Sequence, residues 1–300
     1  MGKVEGGAKM KIKLFDKEIE LRDNHCSLNN NCPDKADKYI NIYVRLENTC
    51  NAMCKFCNFR GEKQEFDFYK FYYVINEIKK VVPINKISFT GGEPTTDCDM
   101  LHKCLMTVKE IDSKIFTVVN TNGYNLNKIA STNTHDLIDS IALSRHHYDD
   151  SINNSIFGTE VVSSKIIEQL NKMVDNKIHL SCNLVKGYID SKEEILKYLN
   201  AAANIGIKDI GFVSLMQISQ YCKEKFIDFS DIDLKCEDVL INKEWNNENN
   251  CKCKNHMFIA DNGEIVEFYS RYYSNSKNNL SSLVYDIDKL KDGFNGQVIL

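Results

Sequence analysis

The pattern that most constrains the fold is an alternation of short apolar segments with longer amphipathic ones between residues 41 and 216. Strand-like segments lie at 41–46, 86–90, 114–120, 139–144, 177–185 and 208–216, and helical spacing occurs between them at 67–82, 98–112, 125–136, 159–175 and 191–205. Strands that alternate with helices of this length predict βαβ units and a parallel sheet. Because such crossovers are right-handed, six units in a row are expected to curl into an open barrel. The predicted fold class is therefore α/β, a partial (β/α)6 TIM barrel.

The flanking segments lack this alternation and are expected to be appendages to the barrel. Residues 11–22 alternate like a short hairpin, which makes 1–38 an N-terminal extension and 39–218 the barrel. Residues 217–257 are polar and contain cysteines, and a hairpin is predicted around Asp261-Asn262-Gly263. We therefore expect residues 219–300 to form a small, Cys-containing C-terminal auxiliary module.

Charge and hydropathy exclude several classes of partner. The formal net charge of −4 does not predict binding to nucleic acid or to an anionic membrane surface. No apolar run approaches the roughly 18 residues of a transmembrane helix, and residues 1–10 contain no apolar segment typical of a secretory signal. A cytoplasmic location is therefore expected.

The twelve cysteines are unusual for a chain from a reducing compartment, where clustered thiols bind metals more often than they form disulfides. Cys50, Cys54 and Cys57 follow directly on the first barrel strand, where loops of such barrels carry catalytic groups. Three thiolates can bind three irons of a [4Fe–4S] cluster and leave the fourth iron open. A structural zinc site would be closed by four ligands. The spacing favours an open-iron cluster, with zinc or chance-spaced core cysteines as alternatives. Three isolated cysteines are expected to be buried in the core: Cys98, Cys104 and Cys182.

These cysteines, with Phe56 before the last of them and with Gly91-Gly92-Glu93-Pro94 at the end of the second strand, resemble the signature of radical S-adenosylmethionine (SAM) enzymes. Further segments resemble the GTP 3′,8-cyclase branch of molybdenum-cofactor biosynthesis: NTNG at 120–123, NLVKGYID at 183–190 and FVSLMQI at 212–218. The resemblance covers about residues 40–220. It implies SAM across the top of the barrel, in contact with Phe56, Gly91, Gly92, Glu93, Asn120, Ser144, Asn183 and Met216.

The resemblance also implies a reaction. An electron from flavodoxin or ferredoxin would reduce the cluster, SAM would be cleaved to a 5′-deoxyadenosyl radical, and the radical would take a hydrogen atom from the substrate. The chemistry belongs to the cofactor, while the barrel positions it and excludes water. A peptide-modifying enzyme and a non-catalytic iron–sulfur protein are the alternatives; the first would be favoured by a short peptide encoded beside the gene.

The sequence differs from the cyclase at the strand positions where basic residues of that enzyme bind the nucleotide triphosphate. The matching strand positions carry Tyr43, Ser88 and Ser181, none of which offers a cation. We therefore expect that GTP is not the substrate and that the chain does not make molybdenum cofactor.

The segment Ser144-Arg145-His146-His147-Tyr148 instead predicts a site for a small anionic substrate. Arg145 offers a planar donor fork, and His146 and His147 could transfer protons. If the segment is extended, only Arg145 and His147, or only His146, should point inward. A polar surface loop is the alternative interpretation.

The C-terminal cysteines resemble the truncated auxiliary-cluster ("twitch") module of some family members. A second [4Fe–4S] cluster, a zinc ion and no metal are all compatible with their spacing. The candidate ligands are Cys222, Cys236, Cys251 and Cys253.

Overall fold

The structure is a computed structural model, and it describes residues 9–22, 39–57, 61–243, 254–271, 282–294 and 296–300. Residues 9–22 form an antiparallel hairpin of β1 (Lys9–Leu14) and β2 (Lys17–Arg22). This hairpin is a two-stranded sheet of its own. It packs on the first barrel helix, where the rings of Phe15 and Tyr73 lie 5.8 Å apart.

Six parallel strands, neighbours in chain order, form the centre of the main sheet. They are β3 (Ile40–Glu47), β4 (Ile84–Gly91), β5 (Phe116–Thr121), β6 (Ser140–Ser144), β7 (Ile178–Leu184) and β8 (Asp209–Ser214). Each of the five pairs of neighbours is parallel. These are the six strands that the alternation predicted, so the α/β class and the barrel-like sheet are confirmed.

Helices connect these strands. They are α1 (Phe68–Val81), α2 (Cys98–Ile111), α3 (Leu126–Ala130), α4 (Asp150–Phe157), α5 (Ser164–Met173) and α6 (Lys192–Asn204). The helix predicted over 159–175 is α5, and the sequence analysis missed α4, which precedes it in the connection after β6. Asp149 begins α4 by accepting a hydrogen bond from the Ile152 N–H, and Gly158 ends it with φ of 68°. None of the helices in the described ranges is long and apolar enough to cross a membrane.

The two faces of the central sheet differ in chemistry because side chains alternate along each strand. On β3, Ile42 and Val44 are fully buried in the main hydrophobic core, which the helices cover. Tyr43 and Arg45 therefore face the opposite side, the interior of the barrel. Cys98, Cys104 and Cys182 lie in the main core, as predicted.

The C-terminal residues extend the barrel sheet at both ends. The elements are α7 (Gln220–Glu224), β9 (Val239–Lys243), β10 (Lys254–Ile259), β11 (Ile265–Arg271), β12 (Ser282–Asp286) and β13 (Lys289–Lys291). β11 pairs in parallel with β8, and β12 pairs in parallel with β3. β10 and β11 form a hairpin whose turn contains Gly263, with φ of 81°. The described strands after residue 219 thus extend both edges of one 11-stranded sheet.

Candidate active site

The loop after β3 carries three thiols and is packed as a unit. Cys50 and Cys57 are half-buried, Cys54 is buried, and all three are free of disulfides. The loop residues pack with Phe157 in a small apolar cluster that is separate from the main core. The backbone N–H of Met53 donates to the Phe157 carbonyl at 2.7 Å. The end of α4 therefore supports the loop.

This loop fits a [4Fe–4S] cluster by its donor chemistry. In the part of the chain that the structure describes, no three potential ligands converge on a single ion. In a cube each thiolate would bind a different iron atom, so its three cysteines need not converge on one point. Three thiols in eight residues, and an apolar lining from Ala52 and Phe157, supply the donors and the low-dielectric surroundings. Cys50, Cys54 and Cys57 would hold the cluster.

The Gly91-Gly92-Glu93 segment is joined directly to the start of this loop. The Gly92 N–H donates to the Glu47 carbonyl at 2.5 Å, and the Glu93 N–H donates to the Thr49 carbonyl at 2.9 Å. A Cβ at Gly92 would collide with the Thr49 carbonyl oxygen, and one at Gly91, where φ is 148°, would collide with that of Glu47. The two glycines are needed because two backbones meet here.

The buried side chain of Glu93 hydrogen-bonds the segment after β4 to the end of β5. Its Oε1 accepts from the Thr95 N–H and hydroxyl and from the Thr121 hydroxyl, and its Oε2 accepts from the Asn122 N–H at 2.7 Å. Burial raises the pKa of this carboxyl, and the four hydrogen bonds oppose the rise. With these partners inside the protein, the geometry gives no support to direct contact between the Glu93 carboxylate and SAM.

The other predicted SAM contacts lie towards the carboxyl edge of the sheet, where barrels of this kind bind ligands. In the strand register, Ser144 lies opposite Ser181 and Asn183 opposite Val213. The Asn120 amide donates to the Phe89 carbonyl at 3.0 Å. All members of the set are half-buried: Phe56, Gly91, Gly92, Asn120, Ser144, Asn183 and Met216.

The segment after β6 does not continue as a strand, so the expected alternation of its side chains is wrong. β6 ends at Ser144, and Arg145, His146 and His147 are all buried. The Asn153 Oδ1 stabilises this irregular segment, because it accepts hydrogen bonds from the backbone N–H groups of His146 at 2.8 Å and His147 at 3.2 Å. A buried amide from α4 therefore sets the path of the chain.

The guanidinium of Arg145 has partners within the protein. Its Nη2 donates to Asp150 Oδ1 at 2.6 Å, to the Tyr148 carbonyl at 2.8 Å and to Ser164 Oγ at 2.8 Å. Burial alone would raise the pKa of Asp150, but the hydrogen bonds from Arg145 and Ser164 outweigh it and lower the pKa. Nη2 and the charge of Arg145 thus have partners inside the protein, whereas the buried Nη1 has no hydrogen-bond partner among the described residues.

His146 is held between the cluster loop and α4. Its ring is stacked on Phe157 at 4.8 Å and meets the Phe56 ring edge-on at 5.0 Å. Its Nδ1 accepts from the Asn183 N–H at 3.1 Å. Burial, with a contribution from the Arg145 charge, lowers the pKa of His146 to about 3. His146 is therefore a neutral side chain that packs against two aromatic rings.

His147 is also neutral near pH 7. Its Nδ1 accepts from the Asp149 N–H at 3.0 Å, and its ring lies 4.4 Å from that of Tyr148. Burial is the main cause that lowers its pKa below the usual value of 6.5.

The predicted auxiliary site is only partly within the described residues. Cys222 is buried, and its thiol contacts the Phe56 carbonyl in the cluster loop at 3.5 Å. Cys236 is half-buried. Cys251 and Cys253 lie outside the described residues, so the second cluster stays a prediction.

Three residues of the site escaped the sequence interpretation. Asn122 contacts Cys50 and Glu93, Asn153 shapes the turn after β6, and Phe157 supports the cluster loop. The Asp149-Asp150-Ser151 run is an N-terminal helix signal and could have revealed α4, and with it Asn153 and Phe157. No local signal distinguishes Asn122 from Asn120.

A partial α/β barrel with three cysteine thiols after its first strand, hydrogen-bonded to a Gly-Gly-Glu segment after its second, defines a class of SAM-dependent iron–sulfur enzymes. The sequence profile of the Radical SAM superfamily matches residues 44–202, more than half of the chain. The chain belongs to the Radical SAM superfamily and is a radical SAM enzyme.

Curated relatives carry the name of one branch. A probable GTP 3′,8-cyclase of Saccharolobus islandicus (strain L.S.2.15 / Lassen #1) is 24% identical over 241 residues, which is 77% of this chain and 74% of the relative. A probable GTP 3′,8-cyclase of Sulfolobus acidocaldarius is 26% identical over 199 residues, 64% of this chain and 62% of the relative.

A solved structure confirms the architecture. The crystal structure of Streptococcus suis SuiB bound to S-adenosylmethionine superposes with a TM-score of 0.52 at 20% identity, over 65% of this chain and 45% of that one. SuiB bound to its precursor peptide SuiA gives a TM-score of 0.51 at 20% identity, over 65% of this chain and 44% of that one. The matched part is thus less than half of SuiB, and at this identity the likeness concerns the fold.

Proposed function

We propose that this chain uses a [4Fe–4S] cluster on Cys50, Cys54 and Cys57 to cleave SAM reductively and to abstract hydrogen from a substrate held inside the barrel. The cluster and SAM would supply an electron and the 5′-deoxyadenosyl radical. The observation that carries the proposal is the pair of backbone hydrogen bonds from Gly92 and Glu93 to the start of the thiol loop. They hold the segment that would bind SAM against the loop that would bind iron.

The protein's own residues would orient SAM and keep water away. Half-buried polar groups along the carboxyl edge, from Gly91 across to Asn183, offer backbone and side-chain partners to a polar cofactor. Phe56, Phe157 and the neutral His146 form an apolar wall beside the loop. Met53 in the same loop is 63% exposed, which leaves a route for an electron carrier such as flavodoxin or ferredoxin.

The interior of the barrel argues for a substrate other than a nucleoside triphosphate. Tyr43 and Ser88 are partners in the strand register on the interior face of β3 and β4, and Ser181 lies on β7. None of these three offers a cation, and Arg45, which also faces the interior, is paired with Asp286 Oδ1 at 2.9 Å. Buried phosphate charges need compensating partners. Arg145 is paired with Asp150 through Nη2, while its buried Nη1 has no hydrogen-bond partner among the described residues, so a small anionic substrate stays a prediction.

GTP is nevertheless the second candidate, because the relatives that match 77% and 64% of the chain are named as probable GTP 3′,8-cyclases. A peptide is the third, since SuiB was solved with a precursor peptide. Titration of the reconstituted, SAM-loaded enzyme with GTP separates them. Micromolar affinity, or 5′-deoxyadenosine release that depends on GTP, would establish GTP as the substrate. Release that depends on a peptide encoded beside the gene would establish peptide modification.

Anaerobic reconstitution tests the core of the proposal. With dithionite as electron source, the wild type should form 5′-deoxyadenosine from SAM, and Cys50→Ala, Cys54→Ala or Cys57→Ala should abolish it together with the absorbance near 400 nm. Cys104→Ala is the matched control, because Cys104 is buried in α2, in the main core. SAM cleavage by the triple variant would contradict the assignment.

The auxiliary cluster is tested by iron analysis of the same protein. Two cubes require about 8 irons per chain and one requires about 4. About 4 irons with one zinc would instead indicate a structural zinc site at the C-terminal cysteines.

A further inference from the structure

We infer that Asn122 is a positioning residue that donates a hydrogen bond to the Cys50 sulfur and thereby raises the reduction potential of the cluster. The inference rests on the proposed function, since it presumes a cluster on the thiol loop. It concerns how readily that cluster accepts its electron, which the function alone does not specify.

The contact joins the ends of two strands that are not neighbours in the sheet. Asn122 follows β5, and its Nδ2 lies 2.8 Å from Asn51 Oδ1 and 3.8 Å from Cys50 Sγ. The backbone N–H of Ala52 also points at Cys50 Sγ, at 3.4 Å. Asn122 is only 6% exposed, so water competes little for its amide.

The orientation of the amide is determined by its other partners. Asn122 Oδ1 accepts from the Tyr124 N–H at 3.0 Å, which places the NH2 group on the side of Cys50 and Asn51. The Asn122 backbone N–H donates to Glu93 Oε2 at 2.7 Å. A rotation of the side chain would therefore break the bond to Tyr124 and leave a buried oxygen without a donor.

A donor at this position acts on the redox equilibrium. Reduction would add one electron to a cluster on this loop, taken from a low-potential donor such as dithionite, and would break no bond. The added negative charge would be shared with the thiolate sulfurs, so an N–H group aimed at a sulfur would stabilise the reduced form more than the oxidised one. Exclusion of water strengthens the effect. Removal of the donor should make the potential more negative.

The test is a redox titration of the reconstituted enzyme without SAM, with the reduced cluster measured by electron paramagnetic resonance. Asn122→Asp keeps the shape and the acceptor for Tyr124 but replaces the donor with an oxygen. At the wild-type midpoint, we expect its ratio of reduced to oxidised cluster to fall about tenfold, equivalent to about 59 mV for one electron. Asn122→Ser, which adds no charge, should shift the potential in the same direction by less.

Asn171→Asp is the matched control. Asn171 is also buried, on α5, and its amide donates to the Gly206 carbonyl at 3.3 Å. The cluster in this variant should therefore have the same reduction potential as in the wild type. An unchanged midpoint in both Asn122 variants at full iron content would overturn the inference. Loss of iron from both, with secondary structure retained, would also overturn it, because Asn122 would then hold the loop rather than tune the cluster. A wild type that binds no iron would instead refute the proposed function.

Discussion

At the residue scale, the site depends on backbones that approach each other more closely than a Cβ permits. Gly92 lies against the Thr49 carbonyl, one residue before Cys50. The Gly-Gly pair therefore has a structural reason inside the protein, in addition to any approach of SAM. A change at this contact should affect the thiol loop and the SAM segment together.

Gly92→Ala should impair both sites at once. The added methyl group must displace the Thr49 carbonyl, and overpacking of this kind costs about 1–3 kcal/mol. We expect less iron per chain and weaker SAM binding, measured by iron analysis and by equilibrium dialysis. Gly61→Ala is the control, because its Cβ would meet Asn48 only at an ordinary contact distance of 3.6 Å. Equal iron and SAM binding in both variants would contradict this account.

A second prediction at this scale concerns the Arg145–Asp150 pair. Asp150→Asn leaves a buried guanidinium without its counter-charge, so we expect the free energy of unfolding at pH 7 to fall by about 1–3 kcal/mol, between the values for exposed and buried pairs. The pKa of Asp150 is lowered in the folded state, so its contribution is complete above the unfolded pKa and is lost as the pH falls through the folded one.

The measurement is denaturant unfolding of the two proteins between pH 7 and pH 2. The difference between wild type and Asp150→Asn should shrink on the acid side of about pH 4, the ordinary range of an Asp carboxyl. Lys172→Met, which removes an exposed i,i+4 pair with Glu168, is the control and should change stability little. A difference that does not change with pH would show that the Asp150 charge is not responsible.

At the scale of elements, α4 is the support of the thiol loop. Its last residue, Phe157, accepts the Met53 N–H, stacks on His146 and packs on Cys54 and Ala52. Asn153, one turn earlier, holds the two backbone N–H groups after β6. This helix therefore connects the end of β6 with the loop after β3. Damage to it should weaken cluster binding more than it disturbs the fold of the barrel.

Phe157→Ala tests that connection. Truncation of a buried Phe costs about 3–5 kcal/mol, and here the cavity would open directly beside Cys54. We expect lower iron per folded chain and faster loss of the absorbance near 400 nm in air. Phe268→Ala, a fully buried position in the main core, should cost similar stability without changing iron content. If both variants lose iron equally, α4 has no special role.

At the scale of the whole molecule, the C-terminal residues belong to the barrel sheet. β11 and β12 cover the edges of β8 and β3, and Tyr269 packs where Gly211 has no side chain. Without them both strands would present unpaired backbone groups, which favours edge-to-edge aggregation.

Deletion of residues 219–300 should therefore give an aggregated protein, measured by size-exclusion chromatography and circular dichroism. Deletion of residues 1–38 is the control. It removes a hairpin that pairs with no barrel strand, although Ile12 and Leu14 join the core, so we expect a folded protein of lower stability. A soluble, folded 1–218 fragment would show that the barrel does not need the added strands.

The sequence alone determined the six strands, their order and the thiol loop, because hydrophobic periodicity and cysteine spacing are local properties of the chain. It also predicted that Gly91-Gly92-Glu93, which follows directly on a strand, binds SAM, and this role stays a prediction. The sequence interpretation was wrong for the segment after β6. It was expected to continue as a strand, but its backbone is hydrogen-bonded to the Asn153 side chain of α4.

Only the tertiary structure decided how charged and polar groups are paired. The sequence suggested that Arg145 is available to a substrate. In the structure its Nη2 donates hydrogen bonds to Asp150 and Ser164, which the packing of α4 and α5 brings close. Asn122 and Cys50 are separated by 72 residues and meet because parallel strands end at one edge of the sheet. Pairing of this kind depends on distances in space, and no local pattern encodes those distances.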